Sequence, residues 1–379
     1  MRMLFYVRVW SFNQKKRSGL LNGGPVKKSI GVGVIGCGQI AQIAHLPYLN
    51  ELPNFEINAV CDLSEKILSH VSKRFSVSKS YTDYRALLEQ KDIEAVVVST
   101  TDHAEIAIDA LNAGKHVLCE KPMAFNVSQC DAMIDAAKRN HVKLMIGYMK
   151  VYDPAVQFAL PLIKELTGLR LIRVHDYAGD FQINNEIYDL VTNSDVPESV
   201  LKKAREKERA ALLAALDEGD DGLVDAFSLL LGLCSHDSCV LHTLFGSPTR
   251  ISKVDLYAGN YSVALLEYGE DVRCVWESGL LMQRPSWDES IQAYGENRSL
   301  QIEFPFPYLK NAETYVNVDE MEMGVSTKKQ YRVSFDEAYK REWRHFYDCI
   351  VEDKEPITSG LTGRRDIEFL TGLVKASKK

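Results

Sequence analysis

No uninterrupted apolar run in the 379 residues approaches the roughly 20 that a spanning helix needs, so a membrane protein is not expected. The eight cysteines (Cys37, Cys61, Cys119, Cys130, Cys234, Cys239, Cys274, Cys349) contain no C-x-x-C pair and no short regular spacing. That leaves a zinc site or disulfide framework without support and makes a reduced, cytoplasmic protein the expectation. The histidines form no ligand spacing, so no metal is expected. Internal repeats and low-complexity tracts are absent. Positive charge is scarce in the body of the chain. Residues 1–28 hold seven Lys/Arg and no acid, which leaves 38 bases against 52 acids, or −14, for the remainder. Binding a phosphate backbone takes a basic face, so a nucleic-acid partner is not expected. The basic leader itself lacks signal-peptide architecture, because Arg8 breaks its apolar stretch and no small-residue cleavage site follows in register. It reads as an arm without an assigned role.

With 46% apolar residues the chain has material for real cores, and its length favours two domains. From 29 to 148, short β-branched runs (30–35, 55–61, 93–99, 116–119, 143–146) alternate with helix-period stretches (39–49, 64–74, 104–113, 128–140). Nearly all-apolar strands alternating with helices predict a doubly wound parallel sheet covered on both faces. A helix over 154–166 and a strand over 169–177 follow. Residues 195–221 read as a solvated helix with Asp195 as N-cap and a stop around Gly219, a lid or subunit contact being the functional alternative. Helices over 223–231 and 236–245 precede strands at 251–257, 262–268, 272–278, 289–294 and 300–304. Short Gly, Asp or Asn turns between these strands predict a largely antiparallel meander. Helices over 335–351 and 363–375 close an α+β domain.

Two motifs carry chemistry. In Gly36-x-Gly38-x-x-Ala41, between a strand and a helix, Gly36 permits the tight turn, Gly38 lets backbone approach a pyrophosphate, and Ala41 lets helix and strand pack closely. Asp62, 26 residues beyond Gly36 at the end of the next strand, suits the ribose hydroxyls and repels a 2′-phosphate, favouring NAD over NADP, although Lys66 softens that repulsion. The second motif, A-G-K-H-V-L-C-E-K-P at 113–122, places Glu120-Lys121-Pro122 at the carboxyl end of a strand, where ligands of parallel sheets bind.

With Thr100 and His103, G-Y-M-K at 147–150 and His236-Asp237 before L-F-G at 244–246, these motifs resemble the glucose-fructose oxidoreductase / inositol dehydrogenase / rhizopine catabolism (Gfo/Idh/MocA) family over roughly 29–375. The resemblance implies a Rossmann domain (29–150) and a C-terminal α+β domain (151–379, with a helical insertion at about 195–221). The large, mostly antiparallel open sheet of that second domain often forms subunit contacts, so a homo-oligomer, dimer or tetramer, is expected. It further implies a nicotinamide cofactor and sugar or polyol substrates. Lys121 matches the catalytic lysine, His236 the general acid/base, and Glu120 a residue near the nicotinamide ribose. Gly36, Gly38, Gln39, Ile40, Asp62, Thr100, His103, Glu120 and Lys121 form the expected cofactor set, and Lys121–Pro122 is often cis in the family.

The chemistry is coherent, since alcohol oxidation needs a base near neutrality and a cation beside the developing alkoxide. Where the family commonly has an aspartate one turn before the histidine, this chain has Gly232. Asp237 lies about 100° round the helix and is no obvious replacement. Asp176 and Asp180 are candidates to supply the carboxylate from a strand end instead. Thr101 stands where a proline commonly follows the threonine, and Val151 stands where relatives often carry a basic residue. Tyr148, Lys150, Asp180 and Asp237 are the substrate-contact candidates. Tyr148 reads equally well as a structural aromatic. Trp276, Trp287 and Tyr294 read as core or interface residues, and Trp343, at helical spacing with Phe346, as core. Besides an NAD-dependent sugar or cyclitol dehydrogenase, the sequence admits a silent NAD(P)-binding regulator, kept open by Gly232, and an NAD-dependent glycosidase.

Overall fold

In a computed structural model the described residues are 29–179, 185, 187–216, 221–280 and 287–378. The first half runs β1 (Ile30–Ile35), α1 (Leu46–Glu51), β2 (Phe55–Cys61), α2 (Glu65–Phe75), β3 (Ser80–Tyr81), α3 (Tyr84–Leu88), β4 (Ala95–Val98), α4 (Ala104–Asn112), β5 (His116–Glu120), α5 (Val127–Arg139) and β6 (Leu144–Gly147). These strands form one sheet in the order β3-β2-β1-β4-β5-β6, and every pairing is parallel. β1, β4 and β6 are buried along their whole length, as their unbroken apolar runs require. Strand order reverses between β1 and β4, so a ligand crevice opens beyond their carboxyl ends. The expected helix over 39–49 departs from regularity. A π-helical turn at Ala41–His45 precedes α1, and the wider turn leaves His45 fully buried.

The second half contains α6 (Pro154–Lys164), β7 (Leu171–Ala178), α7 (Glu198–Ala215), α8 (Asp221–Gly232), α9 (Ser235–Phe245), β8 (Arg250–Tyr257), β9 (Tyr261–Tyr268), β10 (Val272–Leu280), β11 (Trp287–Tyr294), β12 (Arg298–Phe304), β13 (Tyr315–Glu322), β14 (Val325–Arg332), α10 (Ala338–Val351) and α11 (Gly360–Ala376). Its eight-stranded sheet is ordered β14-β13-β12-β11-β7-β10-β9-β8. The expected meander is therefore interrupted: β7 lies between β10 and β11, parallel to the first and antiparallel to the second, and takes the hydrogen-bonding edges that the two would have shared. β13 and β14 were not anticipated. The outer one, β14, alternates exposed and half-buried residues and presents no apolar run to read.

The helix expected over 195–221 spans Glu198–Ala215, with Pro197 rather than Asp195 at its N-cap, and only Leu212 of it is buried. Its expected stop at Gly219 lies outside the described residues. The last two helices return to the first sheet. Ile146 N donates to Thr358 O at 2.7 Å, and Met145 bridges Ser359. All eight cysteines are free and buried. Among the described residues no single helix is long and apolar enough to cross a membrane.

Candidate active site

The glycine turn after β1 has the geometry of a phosphate cradle. Gly36 has φ +86°, and a Cβ there would stand 2.7 Å from the Ser99 carbonyl and 2.8 Å from Thr100 N. A Cβ on Gly38 would meet no protein atom within 4 Å, so backbone is open to a ligand at the point where the helix begins. Gln39 is exposed there, and Ile40 lines the adjoining cleft. Asp62 is fixed by two backbone donors, Cys37 N to Oδ2 at 2.8 Å and Ser64 N to Oδ1 at 2.9 Å. A carboxylate held this way keeps lone pairs for further donors. These residues fit an adenine dinucleotide. Gly36→Ala is expected to cost at least about 2 kcal/mol of stability from positive φ and backbone collision. It should also weaken dinucleotide binding at least tenfold, to be checked by denaturant melts and fluorescence titration.

A cleft of about 300 Å³ continues from this turn, lined by Ile40, Thr100, His103, Glu120, Lys121 and Gly232 among others. Thr100 Oγ1 donates to Asp102 O at 2.8 Å, stiffening the loop without the proline that is common there. His103 Nδ1 donates to Pro122 O at 2.7 Å. A carbonyl only accepts, so the proton sits on Nδ1 and Nε2 is left as an acceptor. The Lys121–Pro122 bond is cis. Lys121 Nζ donates to the Gly232 carbonyl at 2.5 Å. The position without an aspartate therefore still offers the lysine an acceptor, from backbone. Burial, with Lys150 nearby, holds the Lys121 ammonium below its ordinary pKa against the pull of Glu120 and Asp176.

Glu120 is fixed from two sides. Its Oε2 accepts from Lys121 N at 3.1 Å and its Oε1 from His45 Nε2 at 2.8 Å. Trp343 Nε1 donates to His45 Nδ1 at 3.2 Å. Indole is a donor only, so His45 must be the neutral Nε2–H tautomer that donates to Glu120. Sequence reasoning read Trp343 as core and gave His45 no role. Trp343 is indeed fully buried, but it also sets the tautomer behind Glu120.

Facing Lys121 lies a buried polar cluster. Almost all of α9 is buried, so its polar residues must find partners inside. His236 is 8% exposed, stands edge-on to Tyr148 with ring centroids 6.2 Å apart, and has no hydrogen-bond partner at Nδ1. Burial and the lysines 121 and 150 push its pKa well below the usual imidazole value, so it is neutral at pH 7. Asp237, Asp176 and Cys234 each place one ligand-capable atom within 4.8 Å of the other two. The carboxyl groups of Asp176 and Asp237 lie within hydrogen-bonding reach of each other, and that of Asp237 also of Glu289. Glu289, not anticipated from sequence, completes the cluster by binding Lys150 with both carboxylate oxygens and accepting from Trp287 Nε1 at 2.8 Å.

The substrate candidates fare unequally. Lys150 is not a free cation for substrate. It is buried against Glu289, over Trp287 and Phe304, and that pairing lifts its pKa to about 12 despite burial. Tyr148 is fully buried against His236. Asp237 is inside the cluster, where burial and Asp176 push its carboxyl far up. Asp180 lies outside the described residues. Trp276 is core, whereas Tyr294 is 39% exposed.

A doubly wound parallel sheet with a glycine turn after its first strand, an aspartate at the end of the next, and a cleft holding Lys121 defines the class: a dinucleotide-binding Rossmann fold, here followed by a second, mostly antiparallel sheet. Residues 30–148 match the model of the Gfo/Idh/MocA oxidoreductase family, described as an NAD-binding Rossmann fold. It is 34% identical over 128 residues to an inositol 2-dehydrogenase of Salmonella typhimurium, covering 33% of this chain and 37% of that protein. It is 36% identical over 124 residues to a myo-inositol 2-dehydrogenase of Thermotoga maritima, covering 32% and 37%. The sequence likeness thus spans little more than a third of these relatives. The fold likeness is wider. A 3-ketoreductase from Actinomadura kijaniata, solved with NADP and TDP-benzene, superposes with TM-score 0.71 over 92% of this chain and 98% of that one, at 19% identity.

Proposed function

We propose that the chain is an NAD-dependent oxidoreductase that moves a hydride between the cofactor and a CH–OH carbon of a sugar, sugar derivative or cyclitol. The observation that carries this reading is Lys121, just beyond the carboxyl end of β5, with its ammonium in the cleft that runs from the start of the helix after the glycine turn to the C-terminal end of α8. Bound nicotinamide supplies the hydride acceptor. Lys121 donates to the substrate oxygen and stabilises its developing charge, while neutral His236 takes the hydroxyl proton. Asp176 supplies the carboxylate that Gly232 does not. Its interaction with Lys121 supports that role, and Asp237 beside it shares the buried charge. Glu120, held by His45 and Trp343, orients the cofactor side of the site. The inositol dehydrogenase relatives support the substrate class, and Asp62 supports NAD.

Residues 29–150 form the cofactor domain and 151–379 the substrate domain in this reading. Copies associate through the open face of the second sheet, where Tyr257 (44%), Val263 (37%) and Leu265 (38%) are exposed, and the free thiols suit the cytoplasm. Nicotinamide reduction followed across a panel of sugars, cyclitols and sugar acids tests the proposal. One NADH per product is expected. A protein that binds no nicotinamide dinucleotide refutes the reading, and tight binding with no turnover across the panel points to a regulator of the same fold.

A further inference from the structure

The segment that precedes α7 crosses to the dinucleotide domain and is tied there at two places. Gln42 holds Val191 from both sides, Nε2 donating to Val191 O at 2.9 Å and Oε1 accepting from Val191 N at 3.0 Å. At the start of α2, Asp195 Oδ1 accepts from Ser64 Oγ at 2.5 Å and Oδ2 from Lys66 N at 3.0 Å, while Lys66 Nζ donates to Ser194 Oγ at 3.1 Å. Ser64 Oγ in turn accepts from Ile67 N at 3.0 Å, so one hydroxyl caps α2 and donates to Asp195. Asp195 is thus the anion at the first turn of α2, a position that favours negative charge. Its bonds to Ser64 and Lys66 keep its carboxyl below the ordinary range.

Ser64 also donates its backbone N–H to Asp62, the ribose-directed acid. A ribose held by Asp62 carries its 2′ substituent towards this first turn. The donors a 2′-phosphate would seek there are the Ser64 hydroxyl, the Lys66 amide and the Lys66 ammonium, and Asp195 and Ser194 have engaged all three. A 2′-hydroxyl requires none of them. Building on the dinucleotide reading above, we propose that Asp195 is a cofactor-specificity residue delivered from the second domain: a built-in carboxylate that stands where a 2′-phosphate would bind and so enforces NAD over NADP. Lys66, which by its sequence position softens the repulsion from Asp62, is turned instead to the strap.

Dissociation constants of the full chain for NAD and NADP, measured by calorimetry for the wild type, Asp195→Ala and Asp195→Asn, test this. The wild type is expected to prefer NAD. Asp195→Ala should tighten NADP at least tenfold and change NAD by less than about threefold. Asp195→Asn, which keeps an acceptor but removes the charge, should fall between them and serves if the alanine variant folds poorly. Equal changes for both cofactors, or none, overturn the assignment and leave a purely structural strap. A wild type that prefers NADP overturns it while the dinucleotide reading stands. A protein that binds neither cofactor fails the underlying reading and the assignment with it.

Discussion

Lys121→Met is expected to lower kcat/KM by about 10²–10³-fold, the usual consequence of removing one donor to a developing oxyanion, while leaving the NAD dissociation constant within a few-fold. The separation follows from position. In the proposed reading, backbone of the glycine turn and Asp62 would hold the dinucleotide at the other end of the crevice, whereas the Lys121 ammonium reaches across to Gly232 O. Methionine preserves length and apolar stem but not the cation. Lys121→Arg should rescue poorly, because a planar guanidinium does not replace a compact ammonium in a buried site. Steady-state kinetics on any substrate found in the panel, with calorimetric NAD binding in parallel, checks both halves. Unchanged turnover would remove Lys121 from the chemistry, and parallel loss of NAD binding would make it a cofactor anchor.

What could be read from sequence was what is local in the chain. The glycine turn, Asp62 and Glu120-Lys121-Pro122 each carry their chemistry within a few residues, so the strand–helix alternation and the position of the crevice followed from them. Contacts between distant residues could not be read. Trp343 and His45 are 298 positions apart, and nothing in either neighbourhood distinguishes a core indole from one that sets a histidine tautomer. Glu289 was hidden for a similar reason. On an isolated strand it looks solvated, and only the pairing of β7 with β11 places it opposite Asp176. Asp195 had the right chemistry for a helix N-cap, and its bonds to Ser64 and Lys66 bring it to the start of α2, which is distant in sequence, rather than α7. Helical spacing set Asp237 about 100° from His236 and so aside from the site, but burial of nearly all of α9 makes both directions interior, and Asp237 joins Asp176 and Cys234 there.

That interior cluster governs the pH response. Burial, reinforced by the Glu289 carboxylate, raises the Asp176 carboxyl to about 7. An unfolded aspartate titrates near 3.9, so between about pH 4 and 7 the native chain holds a proton that the unfolded chain has released. The stability from this source is fully present below about pH 4 and is lost as pH rises through 7, with a slope of up to about 1.4 kcal/mol per pH unit for one such group. Asp176→Asn removes the titration. Urea midpoints measured from pH 5 to 8 should fall less steeply with pH for the variant than for the wild type, and the variant should be the more stable protein at pH 8. Turnover should move the other way. If ionised Asp176 is the carboxylate of the site, wild-type kcat/KM rises through about pH 7, while Asp176→Asn lacks that limb and is slower by about 10²-fold at pH 8. His236 cannot account for such a limb, because burial and two lysines hold it well below neutrality. A limb near pH 7 that survives in Asp176→Asn would transfer the role to another member of the cluster, with Glu289 the next to replace.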